Sequence, residues 1–97
     1  MKFKVSFAAK AQADFDAIIN YIETELGPHS SSVFKNNIFD FATSMETFPE
    51  IGSMEIKEKI IRGFVLHRRL KAFYRINGDK VIVLRLFDTR QNPSVKF

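Results

Sequence analysis

Four cations and two aromatic rings are interleaved in one part of this chain: Arg69, Lys71, Phe73 and Arg75, then Arg85 and Phe87. Basic groups contact phosphate oxygens and aromatic faces stack on bases, so the mixture suits a nucleic acid or an acidic protein surface. The same pattern also fits a strand face covered by another element, with long basic side chains reaching solvent past their apolar stems. His67 stands just before this group and has the side chain that acid–base chemistry on RNA needs. His29 is the only other histidine and reads as a solvated loop residue. Two histidines cannot build a three-histidine metal site. The absence of cysteine excludes disulfides, zinc ribbons and thiol chemistry. No phosphate-binding glycine loop, dinucleotide fingerprint or serine elbow is present, so neither a metal nor a cofactor is expected.

The charge is unevenly placed. Residues 1–57 hold five Lys/Arg against eight Asp/Glu, while residues 58–97 hold ten against three, and the whole chain carries +4. A basic half is the usual footprint of an anionic partner. A length of 97 residues suits one domain spanning 1–97, with enough surface buried to form a core. Apolar runs are too short for a membrane span, and Met1-Lys2-Phe3-Lys4-Val5 is too short and mixed for a signal peptide. A soluble, cytoplasmic protein without a membrane partner is the expectation. Eleven Phe and no Trp point to a core built from phenylalanine.

Regular elements must position the candidate residues. Phe3, Val5 and Phe7 alternate with Lys2, Lys4 and Ser6, which predicts a half-buried strand, with Ser6 available to cap a helix after it. Ala11, Phe15, Ile18, Ile19, Ile22 and Leu26 then fall on one face of a helix, and Gly27-Pro28 ends it. Ser30, Ser31 and Ser32 offer N-caps for a second helix. Its stripe, Phe34, Ile38, Phe41, Met45 and Phe48, recurs alternately every four and three residues. The short link predicts an antiparallel helical hairpin. Residues 53–59 read as irregular. Three strand-like runs complete the chain: Ile60 to Val65, Arg69 to Ile76 and Val81 to Phe87, the last two joined by the turn signal Asn77-Gly78-Asp79.

The phase of that hairpin depends on the length of its loop. A two-residue loop sets an apolar face beside a cationic one. A three-residue loop, or a bulge, makes both faces agree and pairs Tyr74 with Ile82 and Ala72 with Leu84. Lys71 then lies beside Arg85, a like-charge pair that an anion between them would relieve. The expected core is Phe15, Ile22, Phe34, Ile38, Phe41, Met45, Tyr74, Ile82 and Leu84. The fold class is α+β: an N-terminal strand and an antiparallel helical hairpin packed on a small, mainly antiparallel, twisted sheet.

With those elements in order, the chain resembles the RelE/ParE toxin superfamily of type II toxin–antitoxin modules. Val5-Ser6-Phe7 followed by Ala11, Asp14, Phe15, Ile18, Tyr21 and Ile22 is similar to the family's first strand and helix. Phe48-Pro49-Glu50-Ile51-Gly52 is similar to its end of helix two. Phe73-Tyr74-Arg75-Ile76, the turn, and Val81-Ile82-Val83-Leu84-Arg85 resemble its central hairpin. Asp88-Thr89-Arg90-Gln91-Asn92 stands where ParE-like members often have a His-Gly-Arg-Arg-Asp-like ending.

The resemblance implies one of two activities. RelE-like members cut mRNA on the ribosome. ParE-like members inhibit DNA gyrase, and either kind is held by a cognate antitoxin in a hetero-oligomer; plasmid stabilisation is a role that such modules imply. For a nuclease, the resemblance places Arg62, Lys71 and Arg90 at basic positions, with Arg75 as a further charge stabiliser and His67 or Asp88 as the base. Phe64 stands where a family lysine would be, Asp88 stands where several nucleases have histidine, and no tyrosine follows Tyr74. Those departures, with the two long helices, favour the ParE branch. The target-binding residues are then Arg69, Lys71, Phe73, Arg75, Arg85, Phe87 and Arg90.

Overall fold

The chain opens as strand β1 (Lys4–Phe7), and apolar residues Phe3, Val5 and Phe7 of this segment rest against the core. The structure, a computed structural model, describes residues 2–67 and 69–88. At Ala8 the backbone is still extended, and its N–H donates to the Val83 carbonyl at 2.9 Å before helix α1 (Ala9–Glu25) begins. Ala8 is the N-cap, and no side chain caps this helix, so Ser6 does not play the part its position suggested.

Ala11, Ile18 and Ile22 form the buried stripe of α1, with Phe15 and Ile19 partly buried beside it. The stripe's spacing brings these residues to one side of the helix. Gly27 takes φ 90°, a region open to glycine and strained for other residues. The chain reverses there. Helix α2 (Pro28–Thr47) starts at once, with Pro28 in its first turn, where a missing N–H costs nothing. The three serines therefore lie inside α2, and His29 is an exposed residue of its first turn, instead of a loop residue. Ser31 is buried, and its hydroxyl donates to Glu23 Oε1 at 3.1 Å, tying the two helices together.

Phe34, Ile38, Phe41 and Met45 face the sheet. Phe48, the last of that stripe, is past the helix end and 66% exposed. One turn of 3-10 helix (Pro49–Ile51) leads into strand β2 (Ser53–Ile56), a segment expected to be irregular. Met54 and Ile56 do alternate with Ser53 and Glu55 in this edge strand, but the run is only four residues long, the shortest that alternation can mark. A second 3-10 turn (Lys57–Lys59) comes next, and Ile60 reverses the chain in a left-handed conformation.

Strands β3 (Ile61–His67), β4 (Leu70–Asn77) and β5 (Lys80–Asp88) complete a sheet of order β1-β5-β4-β3-β2. β1 joins β5 in parallel, and the remaining pairs are antiparallel. Both helices pack on one face, giving the α+β architecture expected. No helix among the described residues is long and apolar enough to cross a membrane.

The β4–β5 register differs from the expected one. Asn77 pairs with Lys80 across a two-residue loop, Gly78-Asp79, with Gly78 at φ 62°. Tyr74 faces Val83, and the register then shifts so that Phe73 faces Arg85 and Ala72 faces Leu86. A bulge is present, and it sits inside β5, well away from the turn. It inverts the phase of the strand: Val81 and Val83 before it, Leu86 and Asp88 after it, all point to the helices. Ile82 and Leu84 consequently lie outside the buried core, in contrast to the expectation, while Phe15 packs against that core and Ile22, Phe34, Ile38, Phe41, Met45 and Tyr74 lie within it.

Candidate functional site

Alternation along β4 sorts the candidate residues onto two faces. Leu70, Ala72 and Tyr74 are buried under the helices, so Lys71, Phe73 and Arg75 take the opposite, outward face. The register adds Gly63 and Val65 of β3 and Phe87 of β5 to that face. Phe73 and Phe87 meet edge to face, their ring centroids 5.7 Å apart. The Lys71 ammonium lies 5.0 Å from the centre of the Phe73 ring.

None of the three cations assigned to this face in the central strands lacks an internal partner. Lys71 Nζ donates to Glu55 Oε1, and Glu55 Oε2 accepts from the Ser53 hydroxyl at 2.8 Å. Those bonds, that from Lys71 foremost, hold the Glu55 carboxyl below its ordinary range. Arg75 Nε donates to the Lys59 carbonyl at 3.1 Å. Arg85 is gripped by Asp14 of α1 through Nε at 2.7 Å and Nη2 at 3.0 Å, and this carboxylate holds the guanidinium even more firmly protonated. The Lys71–Arg85 neighbour pair expected from the sequence is absent: Lys71 faces Phe87 and Arg85 faces Phe73. Arg69 is exposed in the β3–β4 turn.

The other candidates lie elsewhere. Arg62 sits opposite Tyr74, and its Nη1 donates to the carbonyls of Glu50, at 3.2 Å, and Gly52, at 2.8 Å. Tyr74 reaches the same segment: its hydroxyl donates to the Pro49 carbonyl at 2.5 Å and accepts from the Gly52 N–H at 3.0 Å. Burial raises the Tyr74 pKa. These bonds explain the Phe48-Pro49-Glu50-Ile51-Gly52 stretch physically, as a chain crossing tied down by two side chains of the sheet.

His67 pairs with Leu70, which pairs with Asp88. That row is on the helix side. His67 borders a hollow of about 180 Å³ with Ser30, Val33 and Asn37 of α2, and Asp88 is 2% exposed. Thus the structure gathers Lys71, Phe73, Arg75 and Phe87 on one face and puts His67, Arg62 and Asp88 on the other. Arg90 lies outside the described residues. Among those described, no group of three or more His, Asp and Glu is placed to hold a metal ion.

Sequence reading missed Glu55 as part of this face, because the alternation from Ser53 to Ile56 is only four residues long and sits in an otherwise polar stretch. Asp14 was visible as an acid off the apolar stripe of α1, but its partner is 71 positions away.

Comparison with known proteins decides the family. Residues 5–93 match the model of the ParE toxin of type II toxin–antitoxin systems, parDE. The chain belongs to the ParE toxin family. Solved structures agree on the fold. A chain of the chromosomal ParDE toxin–antitoxin system from P. aeruginosa superposes on this ParE-family chain with a TM-score of 0.73 at 22% identity, covering 89% of this chain and 95% of that one. A chain of the RelBE2 toxin–antitoxin complex from Mycobacterium tuberculosis gives 0.65 at 18% identity, covering 91% and 99%. A conserved hypothetical protein from Helicobacter pylori gives 0.62 at 20% identity, covering 91% and 96%. No curated protein matches the sequence.

Proposed function

We propose that this ParE-family toxin acts by binding DNA gyrase in the cytoplasm and is held inactive by a cognate antitoxin. The observation that carries the reading is the separation of Lys71 from His67. They occupy opposite faces of the sheet. Cleavage of RNA at its 2′-hydroxyl needs a base and charge-stabilising cations around one phosphate. A binding surface has no such requirement. Arg69, Lys71, Phe73, Arg75 and Phe87 supply an aromatic patch rimmed by cations, a composition that suits protein recognition. Arg85, paired opposite Phe73 and held by Asp14, and Arg90 complete the target-binding set.

The antitoxin follows from family membership, and the neighbours' own descriptions name toxin–antitoxin systems. The +7 balance of residues 58–97 calls for an acidic segment in that partner. The test runs two assays in parallel on purified protein. Gyrase supercoiling should be inhibited, and ribosome-bound mRNA should remain uncut. Codon-linked mRNA cleavage that disappears in Lys71→Ala would overturn the reading in favour of a RelE-like endoribonuclease acting on the ribosome and its mRNA.

A further inference from the structure

We propose that Glu55 is a specificity residue, an internal carboxylate that occupies Lys71 and keeps nucleic-acid phosphate off the outward face of the sheet. The inference deepens the protein-target reading and rests on it. Three features of the site fit this role. The Glu55 carboxylate is held at both oxygens, by Lys71 on one and by Ser53 on the other. The pair lies directly over Gly63, where a Cβ would come within 2.8 Å of both Glu55 Cγ and Lys71 Cε, so the position opposite Phe73 leaves room for the two side chains to meet. The ammonium is also turned toward the Phe73 ring. Lys71 is therefore a cation whose charge is already answered by a carboxylate and a ring face.

A phosphate arriving at this face must displace a carboxylate that two donors hold. An apolar or aromatic group of a protein partner need not, because Phe73 and Phe87 remain available beside the neutralised pair. The chain can thus keep a strongly basic half without offering it to every polyanion. Arg85, tied to the Asp14 carboxylate, is answered in the same way, whereas Arg75 donates only to the neutral Lys59 carbonyl and keeps its charge.

The experiment is a titration of a fluorescent single-stranded RNA oligonucleotide with the full chain, followed by anisotropy over a salt series. For single strands, each phosphate neutralised adds about 0.7 to the salt slope of the binding constant. Glu55→Gln should therefore bind more tightly at low salt and show a slope steeper by about 0.7, an extra loss of roughly threefold over a fourfold rise in salt. Adding Lys71→Gln to that variant should restore the slope of the unsubstituted chain. Equal slopes for Glu55→Gln and the unsubstituted chain would overturn the proposal. So would a gain that survives in the double variant, since that is the general effect of deleting one negative charge. Lys71→Gln alone gives an independent check read by its slope: a masked lysine neutralises no phosphate, so the slope should stay that of the unsubstituted chain even where the Glu55 carboxylate it leaves unpaired lowers the affinity. A slope shallower by about 0.7 would mean that Lys71 already binds phosphate. These curves need only protein and oligonucleotide, so they stand apart from any outcome with gyrase.

Discussion

Asp14 grips Arg85 with both carboxylate oxygens, and one of them also accepts the Leu86 N–H at 2.9 Å. β1 accompanies β5 only as far as Val83, so the Leu86 N–H lies where the sheet has lost its neighbour. The α1 carboxylate takes the place of the missing strand. Both side chains are largely shielded from water, at 17% and 18% exposure. Removing one partner leaves a shielded charge and a backbone donor without their bonds. Asp14→Ala should cost roughly 3 kcal/mol in chemical denaturation. Arg85→Ala should cost a comparable amount, so any loss of toxicity it causes must be read beside its melting temperature.

Phe41 is the hub of the helix–sheet contact. It is 2% exposed, and its ring centroid lies 5.8 Å from that of Phe64 and 6.0 Å from that of Tyr74. Phe41→Ala should lower the unfolding free energy by roughly 3–5 kcal/mol. A loss below about 1 kcal/mol would mean that the site collapses around the smaller residue.

Two glycines make a contrasting pair. A Cβ at Gly52 would collide with the Tyr74 hydroxyl and stand 2.7 Å from the Gly63 carbonyl, both of them fixed by burial and by the sheet. At Gly63 the obstructing atoms belong to Glu55 and Lys71, whose side chains can swing aside. Gly52→Ala should therefore destabilise by roughly 3 kcal/mol, and Gly63→Ala by less than about 1 kcal/mol, since losing glycine from a strand also helps. Tyr74→Phe should soften the Gly52→Ala effect only in part, since it removes the hydroxyl but leaves the ring carbon Cε1 at 2.9 Å and the Gly63 carbonyl at 2.7 Å, a coupling that a double-mutant cycle reads directly.

The helices and the order of elements were legible because their signals are local: the Phe34-to-Met45 stripe repeats at helical spacing, and Gly27-Pro28 both ends α1 and starts α2. The phase of β5 was hidden, since Val81 to Leu84 are all apolar and either face of such a run reads as core. Only the bulge decides, and it follows from long-range packing of Leu86 under the helices. The outward face was half legible. Its cations and rings lie close together in the sequence, whereas the carboxylates that neutralise them, Asp14 and Glu55, come from other elements. His67 and Lys71 look like neighbours in the sequence, yet the β3–β4 turn and the register shift between Val65 and His67 send them to opposite faces.

The pH dependence of stability should be asymmetric. Burial raises the Tyr74 pKa above its ordinary 10.0. A raised folded value gives a contribution that is fully present below 10.0 and is lost as pH rises through the folded value. Unfolding free energy should fall on the alkaline side, and Tyr74→Phe should remove that part of the slope. Glu55 works in the opposite sense. Its lowered pKa contributes stability above 4.5 that is lost as pH falls through the folded value, and Glu55→Gln should flatten that acid limb.

The effect of single substitutions on toxicity separates a binding surface from a catalytic one. An active site concentrates its effect, and deleting one charge-stabilising group typically costs about 100- to 1,000-fold in rate. A binding face loses affinity in smaller steps, because exposed ion pairs are each worth about 1 kcal/mol or less. Lys71, Arg75 and Arg69 lie at or around the outward patch, so alanine at each should weaken gyrase inhibition by about fivefold or less. Phe73→Ala should cost more than any of them, as the ring that both Phe87 and the Lys71 ammonium rest against. His67 faces α2, on the far side of the sheet, and His67→Ala should leave inhibition nearly unchanged. Inhibition measured with purified, folded variants tests the ranking. A collapse at His67 with Phe73→Ala fully active would place the working surface on the helix side and sink the outward-face assignment.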